Sequence, residues 1–130
     1  AFPTGEAHSA AGGIDVAELY DSPGDDVFHA SPHSARLQGA TFDNLALSFH
    51  TVSVHSEAGD NDQGYLFDSA LDDHLEAADD WAWLSSDDPE LGFLIAVAGL
   101  EYVEASSSGQ NDTHNVAPEA LDWLVLLGWP

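Results

Sequence analysis

The stretch "ELYDSPGDDVFHAS" covers residues 18 to 31, and "GYLFDSALDDHLEA" at residues 64 to 77 repeats its pattern 47 positions later. Each copy has an apolar pair, Asp-Ser, two further residues, Asp-Asp, and then an apolar residue and Ala. The first copy carries four acidic side chains and no Lys or Arg. Long-period self-similarity of this kind is typical of repeat proteins. The repeat therefore decides which fold to expect and raises the question of what offsets its charge.

The repeat extends over most of the chain. His8 matches His55 at the offset of 47, and after an insertion of four residues Phe42 matches Phe93 at an offset of 51. We interpret the chain as a single domain with two near-complete repeats and two partial ones. The boundaries are a partial strand at 1–11, repeat 1 at 12–58, repeat 2 at 59–108, and a partial repeat at 109–130 with an apolar C-terminal helix.

Local patterns predict a mixed, mainly β fold. Short alternating runs bounded by Asp, Gly, Pro and Ser are typical of strands and turns. The segments 41–49 and 87–100 are predicted to be helical, the second because Pro89 occupies a first helical position and Gly99 would end the helix. We expect a solenoid-like stack of two repeats of about 47–51 residues, each with several short strands and one short helix.

The composition excludes some partners. One Lys or Arg against 24 Asp and Glu gives a net charge of -23, which repels nucleic acid and anionic membranes. Since 44% of the residues are apolar, the chain is expected to fold and not to remain disordered. It has no apolar run long enough to insert into a membrane. The Ala at position 1, the scarcity of Lys and the acidity favour an extracellular or cell-surface protein.

Stacking would bring acidic residues together. Equivalent positions in successive coils of a stack lie about 5 Å apart, so we expect Asp62 beside Asp15 and Asp112, and the pair Asp25-Asp26 beside Asp72-Asp73. Two carboxylates about 5 Å apart repel by about 3 kcal/mol at an effective dielectric of about 20. Because the only basic side chain is Arg36, the counter-charge is expected to be a cation. An oxygen-only site without Cys suits Ca²⁺.

The runs "SPGDDVF" (22–28) and "AGDNDQGYL" (58–66) resemble the glycine and aspartate repeats of hemolysin-type (RTX) calcium-binding proteins. The longer unit also resembles the tandem acidic repeats of very large secreted bacterial proteins. The period differs from the nine residues of RTX repeats, and Leu71 replaces the glycine found at Gly24. The resemblance implies calcium at the turns but not a regular β-roll. The candidate ligands are Asp15, Asp21, Asp25, Asp26, Asp60, Asn61, Asp62, Asp68, Asp72, Asp73, Asn111 and Asp112.

Other interpretations stay open. The Asp residues could be solvated turn formers on a salt-adapted surface, although the acidic residues comprise 16 Asp and 8 Glu and recur in register. A zinc site would use four of the seven His, namely His29, His33, His50 and His55. The sequence contains no HExxH, GxSxG, P-loop or GxGxxG motif, and its many carboxylates do not single out a catalytic pair, so we do not expect an enzyme.

The chain ends predict self-assembly. Both ends are partial repeats, and an incomplete repeat exposes an unpaired strand edge. If the start of one molecule completes the end of the next, an open head-to-tail filament or surface layer forms. The apolar C-terminal segment could instead cap its own stack. The runner-up function is a monomeric secreted binding or adhesion module with the strand of Trp81 and Trp83 as its contact surface. These two side chains are expected to pack in the core or to cover it, and the alternative is that they stack on a glycan. The candidate assembly residues are Phe2, Leu121, Trp123, Leu124, Leu127 and Trp129.

Overall fold

The computed structural model describes ten stretches of the chain, and of the first one only the backbone. They are residues 4–8, 16–20, 24–32, 34–39, 43–47, 49–56, 61–69, 72–86, 92–107 and 112–129. These stretches contain thirteen strands and one short 3-10 helix, η1. The elements are β1 (Thr4–His8), β2 (Val16–Tyr20), β3 (Val27–Ser31), β4 (Ser34–Gln38), β5 (Asp43–Leu47), β6 (Thr51–His55), β7 (Gln63–Phe67), β8 (His74–Ala78), β9 (Trp81–Ser86), β10 (Phe93–Ala98), β11 (Tyr102–Ser106), β12 (Thr113–Val116), η1 (Pro118–Asp122) and β13 (Leu124–Leu127).

The strands form two mixed sheets. The first sheet has seven strands in the order β1-β5-β4-β3-β7-β11-β13, and the second has six in the order β12-β8-β9-β10-β6-β2. The consecutive strands β3-β4-β5 and β8-β9-β10 pair antiparallel, one meander in each sheet. All other neighbours pair in parallel. The prediction of a mainly β fold is confirmed.

One hydrophobic core cluster contains inward side chains from both sheets. Side chains of a strand alternate between the two faces of a sheet, and this alternation fixes the buried set. On β9, for example, Ala82 and Leu84 are buried whereas Trp83 is exposed. The largest fully buried apolar side chains are Phe28, Phe93, Leu37, Leu66, Leu75, Leu84 and Ile95.

The strand pairs recur along the chain with the offsets of the sequence repeat, but in the opposite sheet. The pair β3-β4, with Phe28 opposite Leu37, recurs as β8-β9, with Leu75 opposite Leu84. The pairs β1-β5, β2-β6 and β3-β7 recur as β6-β10, β7-β11 and β8-β12. From β2 to β7 the chain passes between the sheets three times. Because this number is odd, equivalent strands lie in different sheets.

The helices predicted at 41–49 and 87–100 are wrong. Residues 43–47 form β5, and residues 93–98 form β10 between β9 and β6. Phe93, Ile95 and Val97 are buried with a period of two. A short apolar run fits a buried strand and a buried helix equally well by periodicity, so the partner strands on both sides decide the outcome.

The apolar C-terminal helix predicted in 109–130 is also wrong. Pro118–Asp122 forms only the short 3-10 helix, and the following run Leu124–Leu127 is β13, with Leu124 opposite Val103 of β11. The free edge of β11 offers this segment a full ladder of hydrogen bonds, which favours a strand. In the described part of the chain, no helix has the length and apolar character needed to cross a membrane.

Candidate metal centre

Four buried carboxylates lie directly before strands. Asp26, Asp62, Asp73 and Asp112 precede β3, β7, β8 and β12, and their residues are between 0% and 4% exposed. Aspartate is almost never fully buried unless it is paired. Each of these side chains therefore requires partners that compensate for its loss of water.

The first corner consists of Asp25, Asp26, Ser56, Asn61 and Asp62, at the starts of the paired strands β3 and β7. The backbone N–H of Asp26 donates to Oδ1 of Asp62 over 2.8 Å, and the hydroxyl of Ser56 donates to Oδ2 of Asp62. In return, the N–H of Asn61 donates to Oδ1 of Asp25 over 3.0 Å. These bonds tie the two strand starts to each other and to the end of β6.

The second corner lies at the starts of β8 and β12 and consists of Asp68, Ser69, Asp73, Ser107 and Asp112. The N–H of Asp73 donates to Oδ1 of Asp112 over 2.8 Å, and Ser107 donates to Oδ2 of Asp112. The carboxylate of Asp73 accepts the N–H of Ser69 over 2.8 Å and the Ser69 hydroxyl over 2.8 and 2.9 Å. The two bonds that Asp62 accepts from Asp26 and Ser56 thus recur at Asp112, with offsets of 47 to 51 residues.

The acidic neighbours expected from the repeat are wrong. Asp26 and Asp73 precede strands of different sheets, as do Asp62 and Asp112. Because each repeat changes sheet, Asp26 meets Asp62 and Asp73 meets Asp112 instead. Asp15 lies outside the described residues, so its predicted contact with Asp62 stays a prediction.

The hydrogen bonds change the electrostatic balance that the sequence suggested. Charge-assisted hydrogen bonds from backbone N–H and Ser hydroxyl groups stabilise a carboxylate. Ser56, Ser69 and Ser107 supply such bonds at the corners. Part of the repulsion between the carboxylates is therefore offset by these hydrogen bonds and does not require a cation. The sequence did contain the signal for these serines, since each precedes its Asp by four to six residues and Ser56 and Ser107 differ by 51.

The second corner brings three carboxylates together. One oxygen from each of Asp68, Asp73 and Asp112 lies within 4.8 Å of the others, and this acidic cluster is the one group of three potential ligands found among the described residues. Burial raises the pKa of Asp73; hydrogen bonds from Ser69 lower it, and the charges of Asp112 and Asp68 raise it further. An acid whose pKa is raised in the folded state binds a proton more tightly there than in the unfolded chain. The charged form of Asp73 thus costs stability above that pKa, and a bound cation would relieve the cost.

The donor set of the acidic cluster fits a hard cation. All three side chains offer carboxylate oxygens, and the chain contains no Cys. Ca²⁺ takes six to eight oxygen ligands, including backbone carbonyls and water in addition to carboxylates. Asp68, Asp73 and Asp112 could supply three oxygen ligands to a metal ion, and further oxygens would have to complete its coordination.

The other predicted metal ligands do not join this cluster. Asp25, Asn61 and Asp72 are exposed. The repeat counterpart of the acidic cluster comprises Asp21, Asp26 and Asp62, of which only the last two belong to the described residues. Asp15, Asp21, Asp60 and Asn111 lie outside the described residues.

The predicted assembly residues have different environments. Leu121 and Leu127 are exposed, whereas Leu124 is buried in the core and is not available to a partner. Trp123 and Trp129 are partly buried, and their indole N–H groups donate to the carbonyls of Asp79 and Ala105 over 2.7 and 2.9 Å. Phe2 lies outside the described residues.

A scan of protein-family models and searches of curated proteins and of solved structures found no match to this chain.

Proposed function

We propose that the protein is an extracellular, calcium-binding structural protein whose copies assemble head to tail into a filament or surface layer. The observation that carries this proposal is the acidic cluster of Asp68, Asp73 and Asp112, two of whose carboxylates are buried at strand starts. The role is structural and not catalytic. A solenoid-like stack continued from molecule to molecule would be its architecture.

A calcium ion bound at the acidic cluster would stabilise the folded state. The cluster joins the end of β7 to the starts of β8 and β12, so an ion bound there would lock both sheets. Extracellular calcium modules bind with dissociation constants of about 10⁻⁴ to 10⁻³ M, which suits a site built from few charged ligands. By the repeat, Asp21, Asp26 and Asp62 would hold a second ion.

Calcium is expected to raise the melting temperature. At about 100 times its dissociation constant, one bound ion adds about 2.7 kcal/mol of stability, which corresponds to about 10 °C for a domain of this size. Asp73→Asn is expected to remove one ion from the stoichiometry measured by isothermal titration calorimetry and to reduce the shift. Each variant is compared with itself in EGTA, so that any change in its basal stability cancels.

The matched control is Asp122→Asn, which removes the same charge at an exposed position of η1. It should keep the full stoichiometry and shift. A melting temperature that does not change with calcium but rises with KCl would refute the calcium proposal and favour salt adaptation.

Assembly is supported by the direction of the edge strands. Each sheet has an early strand at one edge, β1 or β2, and a late strand at the other, β13 or β12. Following the pairings across each sheet, β1 is parallel to β13 and β2 is parallel to β12. A translated second copy would therefore continue both sheets with parallel pairs like those inside the molecule.

The edge strands also expose apolar side chains. Val16 and Tyr20 of β2 are 57% and 63% exposed, and Val125 and Leu127 of β13 are 36% and 43% exposed. In the part of the chain that the structure describes, no strand pairs with the outer edge of β2 or β13. The net charge of -23 opposes association of two copies, so cations should promote it.

Wild-type protein is expected to form large species in millimolar calcium and to return to monomer in EGTA, as measured by size-exclusion chromatography and negative-stain microscopy. Val125→Lys places a charge on the exposed face of edge strand β13 and should keep the protein monomeric. Glu104→Lys, a charge change on the interior strand β11, should assemble like wild type. A calcium-saturated wild type that stays monomeric at high concentration would contradict assembly.

The alternative is a monomeric secreted, calcium-stabilised binding or adhesion module. The observation that favours it is the pair Trp81 and Trp83 on the outer face of the second sheet, whose ring centroids lie 4.8 Å apart, with Trp83 46% exposed. A protein that binds calcium without assembling would support this alternative.

A further inference from the structure

A trough lies on the outer face of the first sheet, on the side opposite the core. Its volume is about 500 Å³, and it is lined chiefly by Ser31, Ser34, Arg36, Gln38, Leu47 and Phe67. Small-molecule sites in proteins typically measure about 300 to 1,000 Å³. The trough therefore has the size of a ligand site.

The strand register explains its shape. Ser34 lies opposite Ser31 on one side and opposite Leu47 on the other, so two small side chains form the floor between larger ones. Phe67, at the end of β7, is 44% exposed and closes the far side. One row further along the strands, Arg36 lies opposite His29, whose ring stacks on Tyr65 with centroids 5.1 Å apart.

The floor of the trough, on β3 to β5, belongs to the first repeat and is not required by the fold. The positions of Ser34 and Arg36 correspond, at the offset of 47, to Trp81 and Trp83 on the outer face of the second sheet. There the two indoles lie against each other. The same backbone position thus accepts a Trp in one repeat and leaves a trough in the other.

The charges restrict what the trough can bind. The net charge of -23 repels anions, whereas Arg36 is the only Lys or Arg of the chain and would repel a cation placed beside it. Arg36 is held by Asp43, with 3.1 Å between Nε and Oδ1, and Gln38 donates to Oδ2 of the same carboxylate over 3.4 Å. A neutral ligand meets neither form of repulsion.

The side chains of the trough suit a ligand that is polar at its edges and apolar on its faces. Ser hydroxyls, the Gln38 amide and the Arg36 guanidinium offer several donors and acceptors. Leu47 and Phe67 offer apolar surface beside them. Sugar rings combine vicinal hydroxyl groups with apolar C–H faces. We propose that this trough binds a neutral oligosaccharide, independently of calcium and of assembly.

The test uses isothermal titration calorimetry of the full chain with maltohexaose, cellohexaose, mannohexaose and chitohexaose, and with the anionic hexagalacturonate. At least one neutral hexasaccharide is expected to bind with a dissociation constant of about 1 mM or tighter. Ser34→Trp, which installs the residue of the equivalent position in the second repeat, should abolish that binding and leave the melting temperature near that of wild type. Phe67→Ala should weaken binding and provides a second variant should Ser34→Trp not fold.

The control is Glu119→Gln at an exposed position of η1, which should leave binding unchanged. Trp81→Ser, the reverse exchange on the opposite sheet, tests whether the Trp pair and not the trough binds the sugar. The proposal is overturned if none of the four neutral hexasaccharides binds. It is also overturned if hexagalacturonate binds more tightly than they do, or if binding survives Ser34→Trp and Phe67→Ala but is lost in Trp81→Ser.

Discussion

Asp62→Ala is expected to lower the free energy of unfolding by about 3 kcal/mol, measured by urea denaturation in EGTA. The residue is fully buried, and its carboxylate accepts the N–H of Asp26 and the hydroxyl of Ser56. Truncation leaves these donors without their acceptor, and a buried donor that loses its partner costs about 1 to 3 kcal/mol. Removing one negative charge from a chain of net charge -23 offsets part of this loss. EGTA ensures that the measurement reports the hydrogen bonds and not a bound cation.

Two variants calibrate the expectation for Asp62. Asp62→Asn keeps one acceptor oxygen and should lose less stability than Asp62→Ala. Asp25→Ala removes the exposed member of the first corner, which accepts the N–H of Asn61, and should cost less than about 1 kcal/mol. If Asp62→Ala were no more destabilising than Asp25→Ala, the first corner would not stabilise the fold through its buried carboxylate.

Gly99→Ala is expected to destabilise the protein by about 2 to 5 kcal/mol. Gly99 follows β10 with a φ of +81°, and a Cβ atom there would lie 2.3 Å from the carbonyl oxygen of Ser56. The left-handed backbone costs an L-residue about 1 to 2 kcal/mol, and overpacking against backbone adds about 1 to 3 kcal/mol. A thermal melt followed by circular dichroism measures the loss.

Gly24→Ala is the matched control for Gly99. Gly24 also has a positive φ, +111°, but no heavy atom comes within 4 Å of the added Cβ position. Gly24→Ala should therefore lose only the free energy that an L-residue pays for a positive φ, without a steric contribution. Gly128, which follows β13 and would place a Cβ 2.5 Å from the oxygen of Ser107, should behave like Gly99. Equal losses at Gly24 and Gly99 would contradict the role assigned to the contact with Ser56.

The sequence indicated the β-rich fold and the repeat offsets because both depend on local chemistry. The letters of residues 81–86 predict a strand but not its buried face, because the apolar Trp81 and Trp83 compete with Ala82 and Leu84 for the core. The structure buries Ala82, Leu84 and Ser86 more deeply. Offsets of 47 and 51 separate equivalent strands such as β3 and β8, or β6 and β11. The burial of Asp26, Asp62, Asp73 and Asp112 was not visible in the sequence, since a turn Asp is usually solvated.

By itself, then, the sequence determined that the fold is mainly β, that its units repeat at offsets of 47 and 51, and that acidic residues recur at the turns, for which calcium is a reasonable hypothesis. Only the tertiary structure decided that 43–47 and 93–98 are strands, because their neighbours in the sheets supply the hydrogen bonds. It also decided that Asp62 meets Asp26 and that Asp73 meets Asp112. The physical reason is that the chain crosses between the sheets an odd number of times in each repeat, so equivalent residues lie in different sheets. Acidic residues that contact each other are therefore 36 to 39 positions apart, whereas equivalent residues are 47 to 51 positions apart.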